Sequence, residues 1–526
     1  MSLFQSQLYP GQALGFLVLG ASLHDILTRI KAEPQRFPKI DLAFSQTAPI
    51  EEPVVVNLPS NGVRLRFDGP EQRLRLVEVV DFTKIHITFK EANNERDLMR
   101  PAAEPTATGP TFKHIYNRFL GPTYDGEFVP GNEGGKDVGT YVLSYPGVAF
   151  TFPMAPSAYS PDKDVMSLLS HNGTQVATSM AVFSGDTWAQ ARDTLWNEAL
   201  PSLKTFAPLS KGSKDASPDD VTLVRIHGGG KLQLVRKWTG VGDAPLPSTW
   251  IILGETTPQD LVAELGPPDA IYRRNEQRMY IHRVRGASSS HGRRPNSGDV
   301  KPGSHDNLTD TDMSSANALS TDDGDYDSRD DEDEAVEDDA AGNVAGECFY
   351  NYFYLGFDIL ISTPRVPSQP PPGVEEPQVP RDRRLPSESQ DRLVATKMIL
   401  HGNVPGSYPF NRHRRCRWEI GYLDQPTNSE TPFPETEERL GSAWKSTYLS
   451  EADAKQRQRG MVLNRGWGDS PGSSIEFLGG WEGEVKSSAR KTDAIGADNS
   501  TTTLYGYPGL VFEVLRNGFV SALTVF

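Results

Sequence analysis

One phrase that recurs four times constrains this chain more than any other feature. It reads Asn61-Gly62-Val63-Arg64-Leu65-Arg66-Phe67, then Tyr145-Pro146-Gly147-Val148-Ala149-Phe150, then Tyr354-Leu355-Gly356-Phe357-Asp358-Ile359, and finally Pro508-Gly509-Leu510-Val511-Phe512-Glu513. The first and last continue through a second turn, at Asp68-Gly69 and Asn517-Gly518, into another strand-like run. A glycine followed by alternating residues, a Gly-containing turn and a second run is how a half-buried β-hairpin is written. Copies at both ends of the chain point to duplicated modules and weaken the expectation of one dedicated catalytic cleft.

Helix signals fall between these hairpins. Ser22 precedes Leu23, Ile26, Leu27 and Ile30, a capped helix with apolar positions three and four apart that stops at Pro34. Thr257-Pro258 opens a second helix that ends at Leu265-Gly266-Pro267, and the face Phe112, Ile115, Tyr116 and Phe119 ends at a matching Leu120-Gly121-Pro122. The expected fold is α+β, with about four related modules of a short helix packed on antiparallel strands and hairpins. They are read as residues 1–95, 108–240, 250–425 and 439–526. Two insertions interrupt the third, an acidic one at 285–346 and a Pro-rich one at 363–390. Both sit between strands, where extra loop length is tolerated.

The formal charge of -16 suggests an acidic surface until its source is located. Residues 306–339 hold fifteen carboxylates against Arg329 alone, so the rest of the chain is nearly neutral. Neither an acidic binding face nor a basic nucleic-acid footprint follows. With Cys348 and Cys416 as the only cysteines, a disulfide framework and a thiolate metal cluster are excluded, and a reducing, cytoplasmic setting is the simplest. The apolar run Ala13 to Leu23 is about half of what a membrane span needs.

Two strings invite an esterase reading, His227-Gly228-Gly229-Gly230 and Gly468-Asp469-Ser470-Pro471-Gly472. A nucleophile elbow needs an N–H on the residue after its serine, and Pro471 has none. The histidine of that fold also follows the serine, whereas the last histidine here is His413. The glycine string reads instead as a hairpin turn. No zinc-spaced His/Glu pair, phosphate loop or dinucleotide fingerprint is present, so no catalytic, cofactor or metal residue is assigned and an enzyme is not expected.

The densest polar cluster runs from His401 to Arg417. Arg412, Arg414, Arg415 and Arg417, with His401 and His413, suit an anionic headgroup or phosphate, because guanidinium forks match that geometry. The competing reading places alternate arginines on the solvated face of a strand ending at Ile420. Phe82, Tyr145, Tyr352, Tyr354 and Trp467 are the candidate partner-interface aromatics, against a competing role in the sheet core.

An ordered set of phrases resembles the phagosome assembly factor 1 family. It includes Leu14-Gly15-Phe16, Leu58-Pro59-Ser60-Asn61-Gly62, Gln72-Arg73-Leu74-Arg75-Leu76-Val77-Glu78-Val79 and Phe119-Leu120-Gly121-Pro122. It continues with Tyr350-Asn351-Tyr352-Phe353-Tyr354-Leu355-Gly356-Phe357-Asp358, His401-Gly402-Asn403-Val404-Pro405-Gly406, Arg415-Cys416 and Pro508-Gly509-Leu510-Val511-Phe512. The resemblance implies a non-enzymatic autophagy factor, a scaffold or adaptor paired with a β-propeller partner resembling the breast carcinoma amplified sequence 3 protein. It further implies recruitment of that complex to phosphoinositide-bearing membrane at sites of autophagosome formation. A direct phosphoinositide-binding module is the alternative, and a hydrolase ranks third. This chain departs from the family's pattern in its insertions and in Arg412 to Arg417.

Overall fold

In the computed structural model the described residues run from 3 to 526, except 92–93, 100–107, 124–125, 131–138, 171–175, 198–199, 201–219, 237–247, 274–346, 365–391 and 465–500. Three strands come first, β1 (Phe4–Tyr9), β2 (Ala13–Leu14) and β3 (Leu17–Val18), followed by helix α1 (Leu23–Ala32). A four-strand meander follows: β4 (Asp41–Ala43), β5 (Val54–Leu58), β6 (Val63–Phe67) and β7 (Leu74–Val79). The chain returns through β8 (Ile85–Glu91), parallel to β1, and β9 (Asn94–Asp97). The short helix α2 (Phe112–His114) leads to a second meander, β10 (Glu127–Val129), β11 (Gly139–Tyr145), β12 (Val148–Met154) and β13 (Ser179–Val182). Helix α3 (Val165–Leu169) precedes β13 and α4 (Trp188–Thr194) follows it.

The second lobe repeats this order. Strands β14 (Val221–Ile226), β15 (Lys231–Arg236) and β16 (Ser248–Ile252) precede α5 (Pro258–Leu265). The third meander is β17 (Ala270–Arg273), β18 (Cys348–Tyr352), β19 (Phe357–Ser362) and β20 (Val394–His401). Next comes β21 (Trp418–Ile420), parallel to β14 as β8 is to β1. Helices α6 (Phe433–Ala443) and α7 (Glu451–Arg457) introduce β22 (Met461–Asn464), β23 (Thr501–Tyr507), β24 (Leu510–Leu515) and β25 (Val520–Val525). In the first lobe the large sheet is ordered β10-β11-β12-β13-β7-β6-β5-β4. The second, read from its far edge, is β22-β23-β24-β25-β20-β19-β18-β17, so equivalent strands fill every position. The α+β class with repeated helix-plus-meander modules therefore holds.

All four recurring phrases lie at the turn between the second and third strands of a meander. Gly62, Gly147, Gly356 and Gly509 have φ of 65°, 76°, 88° and 75° there, the left-handed region that a Cβ disfavours. Close approach adds to the requirement at Gly147, where a Cβ would stand 1.9 Å from the Gly11 nitrogen. The helix ends also match the sequence. The Ser22 hydroxyl accepts from the Asp25 N–H, and Thr257 and Asp260 cap one another's backbone. Gly121 (φ 94°) and Gly266 (φ 84°) stand at the two Leu-Gly-Pro stops. Each stop receives a tyrosine hydroxyl from a neighbouring hairpin, Tyr145 to the Gly121 carbonyl at 2.9 Å and Tyr352 to the Gly266 carbonyl at 3.3 Å.

Each lobe buries its own apolar core beneath its sheets. The run from Ala13 to Leu23 forms β2, β3 and the start of α1, with Leu14, Leu17, Leu19 and Leu23 fully covered. Among the described residues, no helix is long and apolar enough to cross a membrane. His227 to Gly230 form the turn between β14 and β15, with all three glycines left-handed. The Ser470 string and the acidic insertion lie outside the described residues.

Candidate functional site

The seam between the lobes is built by residues 401–417, which link β20 to β21. Phe410 from this link joins the first lobe's core, and Val404 packs with Ile50 and Phe519 in a smaller apolar cluster. Burying such a side chain is worth about 2 kcal/mol, enough to hold the link in place before any polar contact is made. Gly402 lets the link pass β25, since a Cβ would lie 2.6 Å from the Val520 carbonyl oxygen.

Among the described residues the non-glycine positions with positive φ are Gln72 (52°), Asn403 (45°) and Asn411 (63°), and hydrogen bonds connect all three. Gln72 Nε2 donates to the Asn403 carbonyl at 2.9 Å, and Asn403 Nδ2 donates to Gln72 Oε1 at 2.8 Å. Asn403 Oδ1 accepts the Asn411 backbone N–H at 2.6 Å. A left-handed non-glycine residue costs about 1 kcal/mol or more, so these bonds hold a strained crossing in position.

Arg414, Arg415 and Arg417 bind across the same seam. Arg415 donates to the carbonyls of Pro70 (2.7 Å), Gly402 (2.6 Å) and Ser429 (3.3 Å). Arg417 pairs with Glu430 at 2.9 Å and with Glu71 of the first lobe at 3.2 Å. Asp220 joins Arg73 (3.1 Å) of the first lobe to Arg414 (3.0 Å) of the second. Burial pushes the Asp220 carboxyl up, but the Arg414 and Arg73 charges outweigh it and hold the group at about 2. Burial lowers both Arg414 and Arg415. For Arg417 burial is overcome by Glu430 and the pKa rises.

A second polar group lies on the same link. Asp358, on β19, accepts at Oδ2 from His401 Nε2 (2.8 Å) and at Oδ1 from His413 Nε2 (3.0 Å). The two imidazoles stack with centroids 3.7 Å apart and planes 14° from parallel. Burial works against the Asp358 charge, but the two histidine bonds prevail and its carboxyl stands at about 2. Burial lowers His413, favouring the neutral ring. Cys416 is buried too, and its thiol is pushed up to about 12, as expected of a packing group and not of a nucleophile.

The six residues suited to an anionic headgroup are thus brought together but not displayed. His413, Arg414 and Arg415 are buried, while His401 and Arg417 are half-buried with carboxylate partners. Arg412 is the exposed member, its guanidinium 4.8 Å from the Tyr408 ring centroid. The solvated-strand reading fails for the same reason, since β21 begins only at Trp418. Of the candidate interface aromatics, Phe82, Tyr145 and Tyr352 are buried, the two tyrosines binding the helix stops described above. Tyr354 is exposed and lies edge-on to His24 of the first lobe at 5.4 Å, while Trp467 lies outside the described residues. Sequence reasoning missed Gln72, Asp220 and Asp358. Only Asp358 left a signal, a carboxylate beside Phe357, Ile359, Leu360 and Ile361 in the run Phe357–Ser362, whose six residues are all buried.

Comparison with known proteins covers both lobes. The model of the family described as phagosome assembly factor 1 matches residues 13–297 and 388–526. A PHAF1 protein of Arabidopsis thaliana is 22% identical over 99% of this chain and 92% of its own length. One from Drosophila melanogaster is 23% identical over 97% of this chain and 90% of its own. One from Caenorhabditis elegans is 28% identical over 26% of this chain and 28% of its own. No solved structure matches the chain. Because the family match takes in the paired lobes and the whole of the link that locks them, the chain belongs to the phagosome assembly factor 1 family.

Proposed function

We propose that this protein is a non-enzymatic scaffold in autophagosome formation, docking a β-propeller partner and leaving membrane attraction to that partner. Family membership fits a phagosome- or autophagy-related assembly role. The observation that carries the finer reading is the fate of the 401–417 cluster. The guanidinium groups of Arg414, Arg415 and Arg417 bond to carbonyls and carboxylates of both lobes, so they stiffen a two-lobed platform and are withdrawn from any headgroup, which leaves Arg412 as the exposed one. Two large sheets fixed across such a seam offer extended surfaces, which suits partner docking better than enclosed chemistry. The partner would be a propeller resembling the breast carcinoma amplified sequence 3 protein.

Native purification of the tagged chain, with the stoichiometry of co-eluting proteins and flotation on phosphoinositide vesicles, tests this reading. A stoichiometric propeller protein, with flotation only when it is present, is the expected result. A lone chain that floats by itself, and loses flotation on Arg412→Glu, would return the membrane role to this protein.

A further inference from the structure

Asp358, His401 and His413 come from three places in the second lobe: the buried strand β19, the last residue of β20, and the link that crosses the seam. Their donor atoms nevertheless converge, with both Nε2 atoms against one carboxylate and all three ligand atoms within 4.8 Å of one another. Asp358 keeps 8% of its surface and His413 9%. A carboxylate this covered ordinarily has a cationic partner. The nearby guanidinium of Arg414 is directed to Asp220, and what faces Asp358 is a pair of imidazoles, which when neutral supply hydrogen bonds but no charge.

We propose that Asp358, His401 and His413 form a three-ligand site for a borderline divalent transition cation of the zinc type, with water completing its coordination. Two imidazole nitrogens and one carboxylate oxygen are the donor set that suits Zn²⁺ or Co²⁺, whereas Mg²⁺ and Ca²⁺ select all-oxygen sites. For coordination, each ring that now donates through Nε2 passes its proton to Nδ1, leaving the Nε2 lone pair for the metal and no proton unaccounted for. The rings must also fan out of their 3.7 Å stack, and His401, with 17% of its side chain exposed, is the one with room to move and the side from which water enters. Phe353 packs on His413 with ring centroids 4.9 Å apart and fixes the inner ring. A bound cation would tie the seam link directly to β19 and neutralise its buried carboxylate. This assignment replaces the expectation from sequence that the chain holds no metal ligands; histidines twelve residues apart fit no zinc spacing, and the third ligand lies 43 residues upstream.

The test uses the full chain after treatment with a chelator. Co²⁺ is titrated and followed by visible absorption, Zn²⁺ by calorimetry and by the shift in unfolding temperature, and Mg²⁺ serves as the control cation. One equivalent of Co²⁺ should give the intense bands of low-coordinate cobalt, Zn²⁺ should displace it and raise the unfolding temperature, and Mg²⁺ should do neither. His401→Ala and His413→Asn should each weaken Co²⁺ binding by at least roughly 10-fold. His401→Ala alters the more exposed ligand, so the experiment stands even where a change at Asp358 disturbs folding. A parent chain with no saturable Co²⁺ equivalent overturns the proposal, and so do both variants binding as tightly as the parent.

Discussion

Gln72 and Asn403 stand 331 residues apart and exchange amide hydrogen bonds across the lobe seam, each from a left-handed backbone. Both side chains are buried, so neither amide has water to replace its partner. Gln72→Ala and Asn403→Ala should each lower stability by about 2 kcal/mol, the cost of leaving buried polar groups unsatisfied. The double variant should lose less than the two separate losses combined, because the bonds are shared. Urea denaturation of the four proteins measures the coupling, and strict additivity would separate the two residues energetically.

Arg412 and Arg415 are three positions apart and should respond to charge reversal very differently in size. Arg412→Glu changes an exposed side chain over a tyrosine ring and should cost about 1 kcal/mol at most. Arg415→Glu places a carboxylate among three carbonyl oxygens beside Glu430, and should cost more than about 4 kcal/mol or prevent folding. Soluble yield and thermal unfolding distinguish these outcomes. Equal tolerance at both positions would contradict the buried seam.

Asp220 gives the seam a dependence on acid. Its carboxyl falls from an ordinary 3.8 to about 2 between its two guanidiniums, so the folded chain holds this proton less tightly than the unfolded chain does. The stabilisation is therefore complete above about pH 4 and is lost as pH falls through about 2. Asp220→Asn should be less stable than the parent at neutral pH, and the gap should close across that interval. Chemical denaturation at a series of pH values follows it; a gap constant down to pH 2 would remove Asp220 as the titrating group.

Gly147 and Gly441 should give alanine substitutions of opposite sign. At Gly147, φ is 76° and a Cβ would stand 1.9 Å from Gly11 nitrogen, so Gly147→Ala must shift one of two packed turns and should cost more than about 2 kcal/mol. Gly441 lies within α6 with nothing within 4 Å of a Cβ, so Gly441→Ala should add up to about 1 kcal/mol. Thermal unfolding of the pair reads both. A stabilised Gly147→Ala would mean that the β1–β2 and β11–β12 turns do not touch in solution.

Local features were legible because they are written in adjacent residues. Ser22, Thr257 and the Leu-Gly-Pro stops mark the helices they were expected to mark, and Val54–Leu58 and Val221–Ile226 are strands from end to end. The pairing of β7 with β13 and of β20 with β25, which turns four meanders into two large sheets, joins residues more than a hundred apart and leaves no local pattern. Likewise a row of arginines looks solvated until Asp220, Glu430 and the carbonyls of Pro70 and Ser429 arrive from elsewhere. His401 and His413 were candidates from the sequence, but nothing local showed that Asp358, 43 residues before His401, is the carboxylate they meet.

The four meander turns differ in length in an alternating way. In the first and third meanders the paired strand ends are Leu58 with Val63 and Tyr352 with Phe357, enclosing a longer loop; in the second and fourth they are Tyr145 with Val148 and Tyr507 with Leu510, enclosing only two residues. Four independent copies of one ancestor would have no reason to alternate. The alternation matches the first meander to the third and the second to the fourth, so the unit that repeats along this chain is a pair of unlike meanders sharing one sheet. The seam is then the surface where that unit meets its own copy, and the contacts made there have no counterpart inside either lobe's sheet.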